Sequence, residues 1–316
     1  MCASDDCRYL VNFPWPKSQR WGVTRFRWVR PLHRVNVLFD GVGLDGSLDM
    51  GGADLAFGTV SSGHYFEAPN DLDLVGLKSA DAYQAMLAAA YVDVNAAARL
   101  TTVTTKAAAH ADALGCVVKT SAARLAEVAG LIEHANLLVG AIETRFMALP
   151  AEVLQSSIET HQKYITLATK DGAFSPHFIV VSNRRADAKR DAVILAGNQR
   201  VLRARLADAE FFWLEDAKSP LGDALPRLAD IAFYEGLGNV HEKALRLQKL
   251  AVDVANAIAT TNAAVNPADA GRAGLLAKAD LVSGMVGEFP ELQGVMGGYY
   301  AAQSGESETV AAAISA

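Results

Sequence analysis

The chain has 316 residues, 51% apolar and 20% charged, a globular balance that excludes a mainly disordered protein and suffices for about two domains. No run of about 18 uncharged apolar residues occurs, the start Met1-Cys2-Ala3-Ser4-Asp5-Asp6 lacks a secretory signal, and three cysteines (Cys2, Cys7, Cys116) are too few for a disulfide framework. No membrane segment and a cytoplasmic location are therefore expected. The net charge of −6 hides two basic tracts: residues 17–34 and 184–205 together hold 13 of the 29 Lys and Arg, leaving the remainder at −17, so an acidic body carries two stretches able to attract a polyanion.

In chain order, the first 75 residues read as β-rich. Residues 26–39 and 56–66 are strand candidates, the first interrupted or placed at an edge by Pro31. Ser79 is a candidate N-cap for an Ala-rich helix running toward Gly115, with the threonine-rich stretch 101–105 as its expected break, because β-branched residues lose rotamer freedom in helices. Residues 116–119 and 136–142 read as strands, with a helix capped by Ser121 between them. Pro150 opens a helix to about Gln162. Asp171-Gly172 between two apolar runs signals a hairpin.

After Asn183 the pattern is helical. Leu195, Leu202, Leu206, Ala209 and Trp213 share one face. Val240, Ala244, Leu247, Ala251, Val254 and Ile258 form a second stripe, and Leu275, Ala279, Val282, Val286 and Phe289 a third; each is expected to bury against neighbouring helices. The fold class is α+β: a mixed α/β region over 14–183 ending in a β-hairpin, then an α-helical region over 184–316.

Chemistry-bearing motifs are few. Gly41-Val42-Gly43-Leu44-Asp45-Gly46 matches G-x-G-x-x-G, but the Ser47-Leu48-Asp49-Met50-Gly51-Gly52 that follows is a poor helix start, and a loop between strands is expected instead of a dinucleotide site. Cys2 and Cys7 lack a second ligand pair for zinc. His241-Glu242 begins like a zincin helix, but Leu245 stands where the second histidine belongs. No metal site and no catalytic residue are expected. The tract at 17–34 interleaves its basic groups with Trp21, Phe26 and Trp28. That composition suits phosphate pairing and base stacking, and equally a strand with arginines in water and tryptophans in the core. Arg200 and Arg203 share a helix face, with Arg205 turned away and Asp208 at i+3 as a partner within the helix.

Several segments resemble one family. Pro16-Lys17-Ser18-Gln19-Arg20-Trp21-Gly22, Gly63-His64-Tyr65-Phe66, Leu149-Pro150-Ala151-Glu152-Val153-Leu154 through His161-Gln162-Lys163-Tyr164, and Phe178 to Asn183 are similar, in order and spacing, to signatures of the β subunit of bacterial heterotetrameric glycyl-tRNA synthetase. So are residues 197–212 and 278–294, the latter containing Glu288-Phe289-Pro290-Glu291-Leu292-Gln293-Gly294. The resemblance covers about residues 14–303. Gln19, Gln199 and Ala204 depart from the usual Met, Glu and Pro, Glu133-His134-Ala135 stands for Glu-Trp-Pro, and residues 23–62 match poorly.

The resemblance implies a β subunit that binds and positions tRNA(Gly) while a separate α subunit activates glycine with ATP and Mg, in an α2β2 heterotetramer. The chain itself is then expected to bind no cofactor and to be inactive alone. Its helical region would be HD-like, although no His-Asp doublet occurs. Lys17, Arg20, Arg200, Arg203 and Arg205 become tRNA-contact candidates, with internal ion pairing the competing role for the three helical arginines. Family chains extend past both ends of this one, so it is expected to be a partial chain. An HD-like metal-dependent phosphohydrolase and a non-functional remnant are the alternative readings.

Overall fold

A computed structural model of the chain describes residues 9–316; Cys2 and Cys7 lie outside the described residues. The protein is mixed α/β, 50% helical and 16% strand, with small sheets. It forms two compact units from interleaved stretches of chain. The first holds residues up to Thr105 with Ala126–Asn136 and Ser182–Asp187; the second holds Lys106–Leu125, Leu137–Val181 and Ala188–Ala316.

Strands of the first unit are short because turn residues punctuate them: β1 (Val35–Asn36), β2 (Leu38–Phe39), β3 (Val42–Gly43), β4 (Ser47–Asp49), β5 (Asp54–Gly58), β6 (Val60–Ser62) and β7 (Asp71–Asp73). Pro31 interrupts the first candidate, and the strand begins only at Val35. β5 pairs parallel with β1 and antiparallel with β4. Asp40 (φ 47°) and Gly41 (φ 79°) are the two turn residues of the β2–β3 hairpin, both in the left-handed region that primed hairpin turns demand. The glycine run thus leads into β4, and no helix follows it.

Ser79 caps α1 (Ala80–Ala89), its hydroxyl accepting from the Ala82 N–H at 3.1 Å. The expected break at 101–105 does not occur: α2 runs unbroken over Ala96–Ala113. The Thr101 and Thr102 hydroxyls donate to the carbonyls of Ala97 and Ala98 at 3.0 and 2.9 Å, so both side chains are satisfied without leaving the helix. The interruption lies at Tyr91 (φ 62°) and ends where Asn95 Oδ1 accepts from the Ala98 N–H at 3.0 Å. An asparagine cap is a stronger boundary than the small propensity deficit of threonine.

The second unit is built on a four-stranded sheet and a helical core. Along the chain come β8 (Cys116–Val118), α3 (Ala122–Gly130, whose residues from Ala126 on belong to the first unit), β9 (Asn136–Ala141), α4 (Ala151–Gln155), β10 (Ile165–Thr169) and β11 (Phe174–Ser182); the sheet order is β8-β10-β11-β9. Gly172 (φ 92°) sits in the β10–β11 turn, as the Asp-Gly pair predicts. There follow α5 (Ala188–Asp216), the small hairpin β12 (Ala232–Tyr234) and β13 (Gly238–Asn239), α6 (Val240–Ala259), α7 (Pro267–Leu276), α8 (Gly284–Glu288), α9 (Val295–Gln303) and α10 (Glu308–Ser315). Glu242 completes a capping box with Asn239 at the start of α6.

One core joins Phe146, Leu154, Ile158, Phe178, Leu202, Leu206 and Phe289, all 2% exposed or less. The α5 stripe buries Leu202, Leu206 and Ala209 there, with Leu195 and Trp213 partly buried against them. The α6 stripe drifts. Val240 and Ala244 are buried, but Val254 and Ile258 are 57% and 45% exposed and Ala255 is buried in their place. The third stripe is not one helix: Leu275 lies on α7, Ala279 and Val282 in a 3₁₀ turn, and Val286 on α8. Ser283 breaks the run by capping α8, its hydroxyl accepting from the Val286 N–H at 3.2 Å.

Candidate nucleic-acid interface

Lys17 and Arg20 flank the bridge that pairs Gln19 with Trp28 and folds the first basic tract back on itself. Both are exposed. The tract's aromatic rings turn toward one another: Trp15 and Trp28 meet edge-on at 4.8 Å, Phe26 stacks on Trp28 at 5.7 Å and meets Trp21 at 6.0 Å, around buried Leu48 and Met50. Neighbouring arginines are tethered, Arg27 Nε donating to Ser18 Oγ at 3.2 Å and Arg34 pairing with Asp71 at 3.0 Å. The rings form a small core, and the charges face water.

Arg200, Arg203 and Arg205 on α5 have three different environments. Arg200 is exposed and makes no ion pair among the described residues. Arg203 pairs with Glu143, which also takes Arg145 at 3.2 Å; Arg145 in turn reaches Glu210 at 3.0 Å. This surface ladder borders an open groove of about 430 Å³ lined by Glu143, Phe146, Gln199 and Arg203. Arg205 is only 21% exposed and pairs with Glu288 instead of Asp208.

Arg205 belongs to a junction that sequence reasoning did not assemble. The helix opened by Pro150 and Ala151 widens after Gln155 into a π-helical turn over Ser156–His161, a form that occurs mostly as single-turn bulges, often at functional sites. This delivers His161 to the Arg205 side chain: Arg205 Nη2 donates to His161 Nδ1 at 3.0 Å. Arginine has no acceptor, so Nδ1 carries no proton and Nε2–H donates to Glu291 Oε1 at 2.9 Å. The Ser156 hydroxyl donates to the same oxygen. Partial burial pushes the Glu291 carboxyl up, but the donors from Ser156, the backbone and His161 outweigh it and hold it below its ordinary value. Phe289, fully buried, lies edge-on to His161 at 5.3 Å and beneath Arg205 at 4.6 Å. Arg205 Nε is buried without a hydrogen-bond partner among the described residues.

The junction thus joins three signature segments: His161-Gln162-Lys163-Tyr164, the arginine run of α5, and Glu288 to Gly294. Their shared resemblance to one family is the only sequence signal that links them. A second link is Tyr164, whose hydroxyl donates to Asn198 Oδ1 at 2.6 Å; burial pushes its pKa up to about 12. Among the described residues no three His, Cys, Asp or Glu side chains stand where they could share a metal ion, and no helix is long and apolar enough to cross a membrane.

Comparison with known proteins supplies the remaining evidence. A family model described as the glycyl-tRNA synthetase beta subunit matches residues 7–316. Curated relatives named glycine–tRNA ligase beta subunit are similar over nearly the whole chain. That of Rhodospirillum centenum is 41% identical, over 92% of this chain and 43% of the relative. That of Paracoccus denitrificans is 39% identical, over 96% and 44%, and that of Haemophilus influenzae 38% identical, over 96% and 42%. The chain therefore spans rather less than half the length of the relatives it matches.

Proposed function

Because the chain belongs to the glycyl-tRNA synthetase beta subunit family, we propose that it is the portion of that subunit that holds tRNA(Gly) for glycylation with an α subunit, in the cytoplasm and within an α2β2 assembly. The observation that carries the reading is the similarity at about 40% identity across 92% or more of the chain to proteins named glycine–tRNA ligase beta subunit. The exposure of Lys17, Arg20 and Arg200 on an otherwise acidic molecule is consistent with phosphate contacts, which steer and position RNA without reading its sequence. Arg203 and Arg205 then act one step removed, Arg203 in the Glu143 ladder beside the groove and Arg205 as the fastening of the junction. The helical region is read as HD-like by resemblance alone.

ATP and Mg belong to the family's reaction. By the resemblance glycine activation falls to the α subunit, and no step of it is assigned to this chain. The match to the glycyl-tRNA synthetase beta subunit family does not favour the phosphohydrolase reading.

The test is a titration of glycine tRNA against the purified chain, with and without an α subunit, at several salt concentrations. The reading expects a salt-sensitive complex, and no ATP–pyrophosphate exchange from this chain alone. Absence of any shift at high protein concentration, with or without α, favours a non-functional remnant; exchange by the isolated chain overturns the division of labour.

A further inference from the structure

The Gly63-His64-Tyr65-Phe66 loop presents a surface that the contacts assigned to Lys17, Arg20 and Arg200 do not account for. Gly63 is hemmed in: a Cβ there would lie 2.8 Å from the Ala68 carbonyl oxygen and 2.8 Å from the Ala90 Cβ. His64 is 1% exposed and locks the loop from inside. Its Nδ1 faces the N–H groups of Phe66 and Glu67, both at 3.2 Å, and so accepts; its Nε2–H therefore donates to the Asn183 carbonyl at 2.8 Å. The backbone N–H of His64 donates to the Ala90 carbonyl at 2.9 Å.

This anchoring turns the next two side chains outward. Tyr65 is 78% and Phe66 62% exposed, and their rings meet edge-to-face at 4.8 Å. The Arg184 guanidinium lies over Phe66 at 4.4 Å, held there by Glu67 at 2.7 Å. Arg185 lies 5.6 Å from the Tyr91 ring centroid and its Nη1 is 3.3 Å from the Tyr91 hydroxyl. Tyr91 itself adopts φ 62°, a conformation costly for a bulky side chain and found preferentially where function requires it. The acid at this surface is withdrawn, Glu67 being 5% exposed, whereas Arg185 is 58% exposed; Asp187 also acts on Arg185.

We propose that Tyr65, Phe66, Tyr91, Arg184 and Arg185 form a stacking platform for an unpaired nucleotide of tRNA. Rigid, water-facing aromatic rings interleaved with flat guanidinium groups are the equipment with which proteins hold splayed-out bases, the rings receiving the base and an exposed arginine its phosphate. The inference rests on the tRNA reading above and adds to it a place and a chemical class: single-stranded nucleotides, from the 3′ end or from a loop. Base stacking carries little salt dependence, unlike the contacts assigned to Lys17, Arg20 and Arg200.

The experiment measures binding of three RNAs to the full chain: intact glycine tRNA, the same tRNA trimmed of its unpaired 3′ nucleotides, and a short oligoribonucleotide of the 3′ sequence carrying 2-aminopurine. Tyr65→Ala is expected to weaken intact tRNA roughly tenfold, within the span of about 5- to 150-fold set by loss of one stacked base, with the salt slope unchanged. Tyr65→Phe restores binding. If the 3′ end supplies the base, trimming abolishes the difference between wild type and Tyr65→Ala, and 2-aminopurine fluorescence is quenched by wild type alone; if a loop supplies it, the difference survives trimming. Equal tRNA affinity of wild type and Tyr65→Ala overturns the platform and leaves the tRNA reading intact. Equal tRNA affinity together with lost co-purification of an α subunit reassigns the surface to a protein partner. Failure of every form to bind tRNA overturns both.

Discussion

The guanidinium of Arg205 lies 4.6 Å from the centre of the Phe289 ring while one of its nitrogens donates to His161 Nδ1 at 3.0 Å. A single side chain of α5 thereby fastens the π-helical turn to the segment after α8. Arg205→Ala removes a fork of donors and a cation over an aromatic face. It is expected to destabilise the chain by about 1–2 kcal/mol, a figure already reduced for the partial exposure of Glu288. Arg205→Lys recovers only part, because an ammonium cannot serve Glu288 and His161 with one planar fork. Urea unfolding of the three proteins checks the order wild type, Lys, Ala; a lysine variant as stable as wild type would contradict the geometry.

Glu291 and Asp280 shift in opposite directions and should respond to pH with opposite sign. Glu291 titrates below its ordinary 4.5. A carboxyl depressed by folding adds stability above the unfolded value, and that stability is lost as pH falls below 4.5 toward the folded pKa. Wild type should therefore lose more stability than Glu291→Gln between pH 6 and pH 3. Equal losses in paired urea titrations across that range would remove the Ser156–His161–Glu291 arrangement from consideration.

Asp280 is fully buried. Burial raises its pKa, against the lowering effect of the Gly294 and Gly297 N–H groups, which it accepts at 2.6 and 3.1 Å. Its other oxygen has no partner among the described residues. A raised carboxyl pKa means that ionisation costs stability above the unfolded value of 3.8, with the full cost reached above the folded pKa. Asp280→Asn keeps an acceptor for the start of α9 without a charge and should be milder than Asp280→Ala, which strands the buried Gly297 N–H and the part-buried Gly294 N–H at a cost of about 1–3 kcal/mol. Thermal melts at pH 7 distinguish the two.

What was legible in the sequence depended on how local its cause was. Ser79, Ser121 and the Asp171-Gly172 pair act on the residues beside them, and each forms the cap or turn that its chemistry demands. The threonine run was misread because an 18-residue helix absorbs small propensity costs. Arg205 shows the limit most clearly. Asp208, three residues away, was the visible partner, whereas the partner in the fold is Glu288, 83 residues on. The Gly63–Phe66 loop is similar: its histidine is held by Asn183, 119 residues away, and only that contact shows which rings must face water.

The contact of α6 with α7 depends on two glycines. A Cβ on Gly274 would sit 2.8 Å from the Leu247 carbonyl oxygen, and one on Gly271 would sit 2.5 Å from Val252 Cγ2. The Leu247 obstacle is backbone, which cannot rotate aside. Gly274→Ala is expected to cost about 1–3 kcal/mol by overpacking despite the better helix propensity of alanine. Gly287→Ala, with nothing within 4 Å, serves as the control and should be neutral or stabilising. A Gly274→Ala variant that melts at or above wild type would show that the two helices are not in this close register.

The proposed reading divides Arg200, Arg203 and Arg205 of α5 between phosphate contact and internal pairing. Arg200, exposed and without an ion pair among the described residues, is the one that the proposed reading assigns to an RNA phosphate. Arg200→Ala is expected to weaken glycine tRNA about equally for matched and unrelated tRNAs and to lower the slope of log K against log salt by about one, with no change in the urea midpoint. Arg205→Ala should do the reverse, moving the midpoint and leaving the salt slope alone. Arg203, tied to Glu143 yet 57% exposed, should fall between, because it must leave one carboxylate to meet a phosphate. Salt titrations of the three variants beside their unfolding curves decide the matter: a slope change from Arg205→Ala, or none from Arg200→Ala, reverses the assignment.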